Sequence, residues 1–253
     1  LGFPAARTRV LGDDGYPHAD QLKWLCLGPL DLGLGRFQEF CCLHHSSGAL
    51  LLTDALVSIP LQPPPLFELD PTPLLFHARD RGDQPLLDDP ALRLKGWQRL
   101  ALFASYLRPE ALAVPPLGQL LAQAFRPGCR NRRSYFGLYP FHWGRSSAEL
   151  FAQLQQQGIG GLQVAPVLER LVFPRAQALL LAWLRQLAAL TELRWLVPAH
   201  YDAPVPCTPD HLRHLADSLE ARPWAPSEGD WAYLAGIDRL LLRSGVVPEH
   251  PLG

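Results

Sequence analysis

Three residues whose side chains bind metal ions stand at breaks in the chain pattern: His44, Asp54 and His200. His44 closes the apolar run FQEFCCLH, Asp54 interrupts the almost wholly apolar ALLLTDALV, and His200 follows LRWLV in the string PAHYDAP. Imidazole nitrogens and carboxylate oxygens are donors that zinc, iron and manganese accept. In α/β sheets such side chains gather at the carboxyl ends of strands, where loops deliver them into one crevice. A carboxylate inside so apolar a run needs a partner to offset its desolvation, so Asp54 is expected to have one. A histidine at a strand end also serves as a hydrogen-bonded structural residue, and spacing alone leaves both roles open.

Neighbouring residues extend this constellation. His45 alternates with His44 across a strand, so one of the two faces the site, and Asp202 lies where its carboxylate would orient the His200 ring from behind. His77 and Arg79, with Asp80, follow a proline-rich stretch and are candidates to close over a pocket, against the plainer reading of a surface loop. Arg126, Arg130, Arg132 and Arg133, followed by Tyr135 and Phe136, form a basic cluster with aromatic residues that suits a phosphate or other acidic group, or a solvated loop. Asp210, His211 and His214 have helical spacing, but an acid in a first helical turn needs no metal to explain it. GxGxxG, P-loop, GxSxG and HExxH patterns do not occur.

The elements that must position these groups follow from pattern. Residues 22–27 (LKWLCL), 37–43 (FQEFCCL) and 49–57 read as strands, and SSG between the last two makes a β-hairpin. The stretch 60–90, with PPP and DPTP, is predicted to hold little regular structure. Helices are predicted over 95–107, 116–125, from a Ser146-Ser147-Ala148-Glu149 cap to Gly158, over 175–190, from Thr208 and over 228–243 after a Ser227 cap. Residues 193–197 form a further short strand that delivers His200.

Composition sets the class. The chain has 253 residues, 48% hydrophobic and 19% charged, which is ordinary for a globular α/β domain, and one domain is expected over residues 1–253. A net charge of −1 provides no overall field for nucleic acid, so none is expected as a partner. Five cysteines without a CxxC pair argue for reduced, buried thiols rather than a disulfide framework. The apolar stretch 176–184 is too short to span a bilayer. The chain starts at Leu1 and holds no Met, from which an upstream segment is expected.

The strings EFCCLHHSSGALLLTDALVSIP, KGWQRLALFASYLRPEAL and LVPAHYDAP resemble an uncharacterised family of cyanobacterial and chloroplast proteins described by a domain of unknown function. LGFPAARTRVL, LGPLDLGLGRFQEF and SEGDWAYLAGIDRLLLRSGVVP carry the resemblance across nearly the whole chain. That family looks like a remote relative of the metallo-β-lactamase superfamily. The resemblance implies the later part of an αββα sandwich, two mixed sheets face to face with helices outside, with residues 60–157 as an insertion of proline-rich loop and helices. It implies His44, Asp54 and His200 as metal ligands, with His45 and Asp202 behind them and zinc or iron as the cofactor. The superfamily motif HxHxDH is absent from these residues and would lie upstream of Leu1.

Two functions follow as expectations. One is a metal-dependent hydrolase of unknown substrate; the other is an inactive relative acting as a binding or assembly factor in photosynthetic cells. A third, a small-molecule carrier, would show a crevice lined by apolar and aromatic residues. The expected setting is cytoplasm or plastid stroma, peripheral to the thylakoid at most, with an unknown small molecule or protein as partner.

Overall fold

The computed structural model describes residues 4–11, 15–31, 35–129, 131, 136–144, 147–156, 158, 161–221, 229–247 and 249. Strands in chain order are β1 (Leu22–Asp31), β2 (Arg36–His44), β3 (Ala49–Leu52), β4 (Leu56–Ser58), β5 (Leu112–Ala113), β6 (His142–Trp143), β7 (Leu162–Val164), β8 (Trp195–Pro198) and β9 (Val205–Pro206). Helices are α1 (Leu66–Leu69), α2 (Thr72–Ala78), α3 (Pro90–Tyr106), α4 (Leu117–Ala124), α5 (Ser147–Gln156), α6 (Pro166–Leu171), α7 (Gln177–Leu187), α8 (Pro209–Ala221) and α9 (Ala232–Arg243). Among the described residues no helix is long and apolar enough to cross a membrane.

The main sheet has five strands in the order β1-β2-β3-β8-β9. β1, β2 and β3 pair antiparallel, as the hairpin pattern predicts, while β8 runs parallel to β3 with Leu50 beside Leu196 and Leu52 beside Pro198. Along β2 the burial alternates, with Glu39, Cys41 and Leu43 inward and Gln38 outward. α7 and α8 cover that inner face. The inward positions of α7, Leu180, Leu184 and Leu187, recur at three and four residues, and with Leu212 and Leu215 of α8 they join Leu43, Leu50 and Leu196 in one core. Each such leucine contributes about 1.5–3 kcal/mol by leaving water.

A second core lies between α3, α5 and the strand after the main sheet, where Trp97, Ala101 and Leu102 meet Leu150, Phe151, Leu154 and Val57. α3 starts earlier than the sequence suggests, because Asp89 Oδ1 accepts the amides of Ala91 at 2.8 Å and Leu92 at 3.2 Å and Pro90 follows at the first helical position. Gly96 lets α2 and α3 touch: a Cβ there would lie 1.9 Å from the Leu74 carbonyl oxygen. α9 is fastened by Asp238, whose carboxylate is 2.5 Å from the Arg175 guanidinium and 3.5 Å from that of Arg170, all three side chains buried.

Several expectations are corrected. The run 49–57 is two strands, with a bend over residues 53–55, so Asp54 sits in that bend and not in a strand. The proline-rich stretch 60–90 contains α1 and α2, since prolines tolerated in first turns start these helices instead of preventing them. The architecture is mixed α/β, but the expected face-to-face pair of large sheets is replaced among the described residues by one five-stranded sheet and two two-stranded ladders, β4–β7 and β5–β6. Ser227 lies outside the described residues.

Candidate functional site

Because β3 and β8 are parallel neighbours, their carboxyl ends leave the sheet at one edge. From β3 the chain turns through Thr53, Asp54 and Ala55; from β8 it passes through Ala199, His200 and Tyr201. Glu39, 1% exposed on β2, holds the first turn: its Oε1 accepts the Thr53 amide at 2.9 Å and its Oε2 the Ala55 amide at 2.7 Å. Burial raises the Glu39 pKa, the backbone amides work against that rise, and the neighbouring Asp54 charge adds to it. The result is a rigid bend that projects the Asp54 side chain outward.

Asp54 Oδ1 lies 2.8 Å from His200 Nε2. A carboxylate oxygen only accepts, so the proton in this contact belongs to Nε2 and leaves Nδ1 as the ring's free acceptor in the neutral imidazole. Both side chains face solvent, at 52% and 61% exposure. The next residue, Tyr201, adopts a left-handed backbone (φ 67°), bridges to Ser58 and turns its ring edge-on to Trp97 at 6.0 Å. Trp97 is fixed in turn by donating Nε1–H to the Pro60 carbonyl at 2.8 Å, and packs against Phe67 at 5.9 Å.

These rings, the Leu100, Ala104 and Ser105 face of α3, and residues 165–168 at the start of α6 line an open cavity of about 670 Å³, with Asp54 and His200 in its wall. Among the described residues lining it there is one carboxylate and no lysine or arginine. Ser105, 2% exposed, stands near the Tyr201 phenol without forming a well-shaped hydrogen bond, and burial raises that phenol's pKa.

The other sequence candidates are elsewhere. His44 ends β2 opposite Ala49, at the far end of β3 from Asp54, roughly 15 Å along the strand by the usual rise per residue. There its ring meets Ser47 Oγ at 2.8 Å and Ser46 Oγ at 3.3 Å. His45 pairs with Glu192 at 2.8 Å and ties the hairpin to the segment before β8, so it does not stand behind the site. Asp202 donates its amide to the Ser58 carbonyl at 3.0 Å, and the carboxylate that orients His200 is that of Asp54. His77 and Arg79 do not border the cavity; Arg79 is buried over the rings of Phe76 and Tyr139 and donates to the Gly82 carbonyl. Arg126 and Phe136 are exposed, and Arg130, Arg132, Arg133 and Tyr135 lie outside the described residues. Asp210 pairs with Arg213, and His211 accepts the Thr208 amide.

Sequence reasoning overlooked Glu39, although period-two alternation places it on one face with Phe37, Cys41 and Leu43. Trp97 falls within the helix predicted over 95–107, where spacing gives no sign that it lines a cavity.

The model of the family described as Domain of unknown function (DUF4336) matches residues 1–217. The chain belongs to this family. No curated protein and no solved structure matches it. The DUF4336 segment contains Glu39, Asp54, Trp97 and His200 and ends within α8, so the whole site falls inside it.

The donor set of this DUF4336 site does not fit a zinc or iron ion. Such ions take at least three protein ligands, and among the described residues no group of three histidine, cysteine or acidic side chains is placed to hold one. Thiol chemistry finds no support at Cys41 and Cys207, whose pKa burial pushes up to about 12, far from the reactive thiolate.

Proposed function

We propose that this DUF4336 protein binds a small, largely apolar molecule that carries no negative charge and presents a hydroxyl or N–H to His200. The observation that carries this reading is the Asp54–His200 pair, 2.8 Å apart, in the wall of a cavity of about 670 Å³ whose other surfaces are mainly Trp97, Phe67, Tyr201 and aliphatic side chains. That volume suits a drug-sized ligand, for which apolar walls supply affinity and a few fixed polar groups supply orientation. With a carboxylate and no lysine or arginine among the described residues of the wall, a phosphate or carboxylate ligand would be desolvated without a countercharge. Asp54 fixes the His200 tautomer, so Nδ1 is the acceptor a ligand donor would meet.

Among the functions the sequence suggests, this belongs with the binding proteins. The metal-dependent hydrolase implied by the superfamily resemblance draws on the same Asp54 and His200, but needs at least one more ligand, and the described residues of the wall offer none.

Titration with Nile red, a neutral apolar dye, tests the reading. Saturable one-to-one binding in the parent, lost in a folded Ala104→Trp variant whose indole fills the cavity from α3, is the expected result. Absence of saturable binding, or binding that Ala104→Trp leaves unchanged, would contradict it.

A further inference from the structure

Two cavities share a wall. Pro64, Leu66 and Phe67 line the open cavity of about 670 Å³ beside Asp54 and His200, and Pro64 and Phe67 also line a smaller one of about 240 Å³ that reaches Glu68 and Arg93. The segment between the two is held mainly at its ends. Trp97 donates to the Pro60 carbonyl at 2.8 Å, and beyond α1 the Asp70 carboxylate accepts the Thr72 amide at 2.9 Å. In between, the amides of Phe67 and Glu68 donate to the carbonyls of Pro64 and Pro65, each at 3.0 Å. Among the described residues no backbone hydrogen bond ties residues 61–69 to a distant part of the chain, and residues 63–65 are prolines with no amide to donate. α1 buries none of its residues: Phe67 rests on Trp97, but Leu66, in the wall of the large cavity, is 70% exposed and Leu69 is 85% exposed. Segments with so few buried contacts lie at the low-stability end of a fold, from which elements that move over ligands are drawn.

We propose that residues 61–69 form a lid on the ligand cavity, hinged near Pro60 and Asp70, and that α1 closes inward over a bound molecule with Leu66 against it. The inference rests on the reading of the large cavity as a ligand site and adds how that site holds its occupant. While the cavity is open Leu66 stays in water, so a ligand that gives it an apolar surface to cover favours closure. The smaller cavity leaves α1 loosely backed, so inward movement breaks few contacts there. Glu68 and Arg93 border that cavity with opposite charges, and their attraction favours the open position. Arg93 is itself fastened to Asp88 by two hydrogen bonds, at 2.5 and 2.7 Å, which fixes one side of this attraction on α3.

The test is stopped-flow mixing of the full chain with Nile red, together with hydrogen exchange over residues 61–70 with and without the dye. The expected result is a fast bimolecular phase, then a slower one whose rate does not rise with dye concentration, and exchange slowed at least about fivefold in the bound protein. Arg93 lies outside the wall of the large cavity, so its substitution reaches a ligand only through α1. Arg93→Glu, checked for folding by circular dichroism, repels Glu68 and should tighten dye binding at least about threefold while altering only the slower phase. A single bimolecular phase, exchange that the dye leaves unchanged, or binding and kinetics indifferent to Arg93→Glu overturns the lid. Saturable binding that Ala104→Trp abolishes, with α1 rigid throughout, removes the lid and leaves the cavity reading intact; no saturable binding removes both.

Discussion

His200 Nε2 donates to Asp54 Oδ1 at 2.8 Å although 146 residues separate the two in the chain. Their meeting depends on strand direction. β3 and β8 run parallel, so the residues that follow them emerge side by side, and Glu39 on the adjacent strand clamps the bend that carries Asp54. The pair is thus built by three strands of one sheet, and its position in the wall of an apolar cavity is what gives it a use.

The Glu39 clamp is open to direct test. Glu39→Leu leaves the amides of Thr53 and Ala55 without their acceptor in a buried setting, and should cost about 2 kcal/mol of stability, read as a lower urea midpoint. Nile red affinity should fall with it, because Asp54 loses its support. An unchanged midpoint would mean that the bend holds itself.

Gly96→Ala would place a methyl group 1.9 Å from the Leu74 carbonyl oxygen, so α2 and α3 must separate. The better helix propensity of alanine offsets only part of this, and a net loss of about 1–3 kcal/mol is expected. A drop in the thermal midpoint, together with a shift in Trp97 emission, checks it; a rise in the midpoint would refute the close approach.

His77 gives a pH dependence with a definite sign. Burial first, then the Arg99 and Arg79 guanidiniums, hold its pKa down to about 4, against 6.5 in the unfolded chain. Between these values the unfolded chain binds the extra proton, so this contribution to stability is present above pH 6.5 and is lost as pH falls towards 4. Its size is roughly 2 to 3 kcal/mol. Urea midpoints of the parent and of His77→Gln should therefore converge between pH 7.5 and 4.5. A difference that does not vary with pH would contradict the burial of that ring.

The cavity should discriminate by charge. Decanol should displace Nile red at least about tenfold better than decanoate at pH 7.5, because the described residues of the wall include Asp54 and no lysine or arginine. Preference for decanoate would point to a cation that the described walls do not contain.

Much of the frame was legible because it rests on local periodicity. The hairpin, α7 and the start of α8 follow from alternation, three-and-four spacing and a Thr-Pro-Asp sequence. The need of Asp54 for a partner was legible too, from the cost of a carboxylate in an apolar run. The ligand triad was not, for a geometrical reason. β2 and β3 are antiparallel, so His44 at the end of β2 lies beside the start of β3, at the opposite sheet edge from Asp54. Sequence spacing records that each residue ends a run, but not which way the run points. Likewise His77 and Arg79 follow a proline-rich stretch and look exposed, yet Tyr139 and Phe141, tens of residues away in the chain, close around them.

The most direct measurement is a crystal structure of the protein with 10-bromodecan-1-ol, locating bromine by anomalous scattering. The expected result is a bromine peak among Trp97, Leu100 and Leu168, with the alcohol oxygen within hydrogen-bond distance of His200 Nδ1. A cavity closed by its own side chains, or bromine found only along the exposed leucines of α4, would contradict a ligand site at Asp54 and His200.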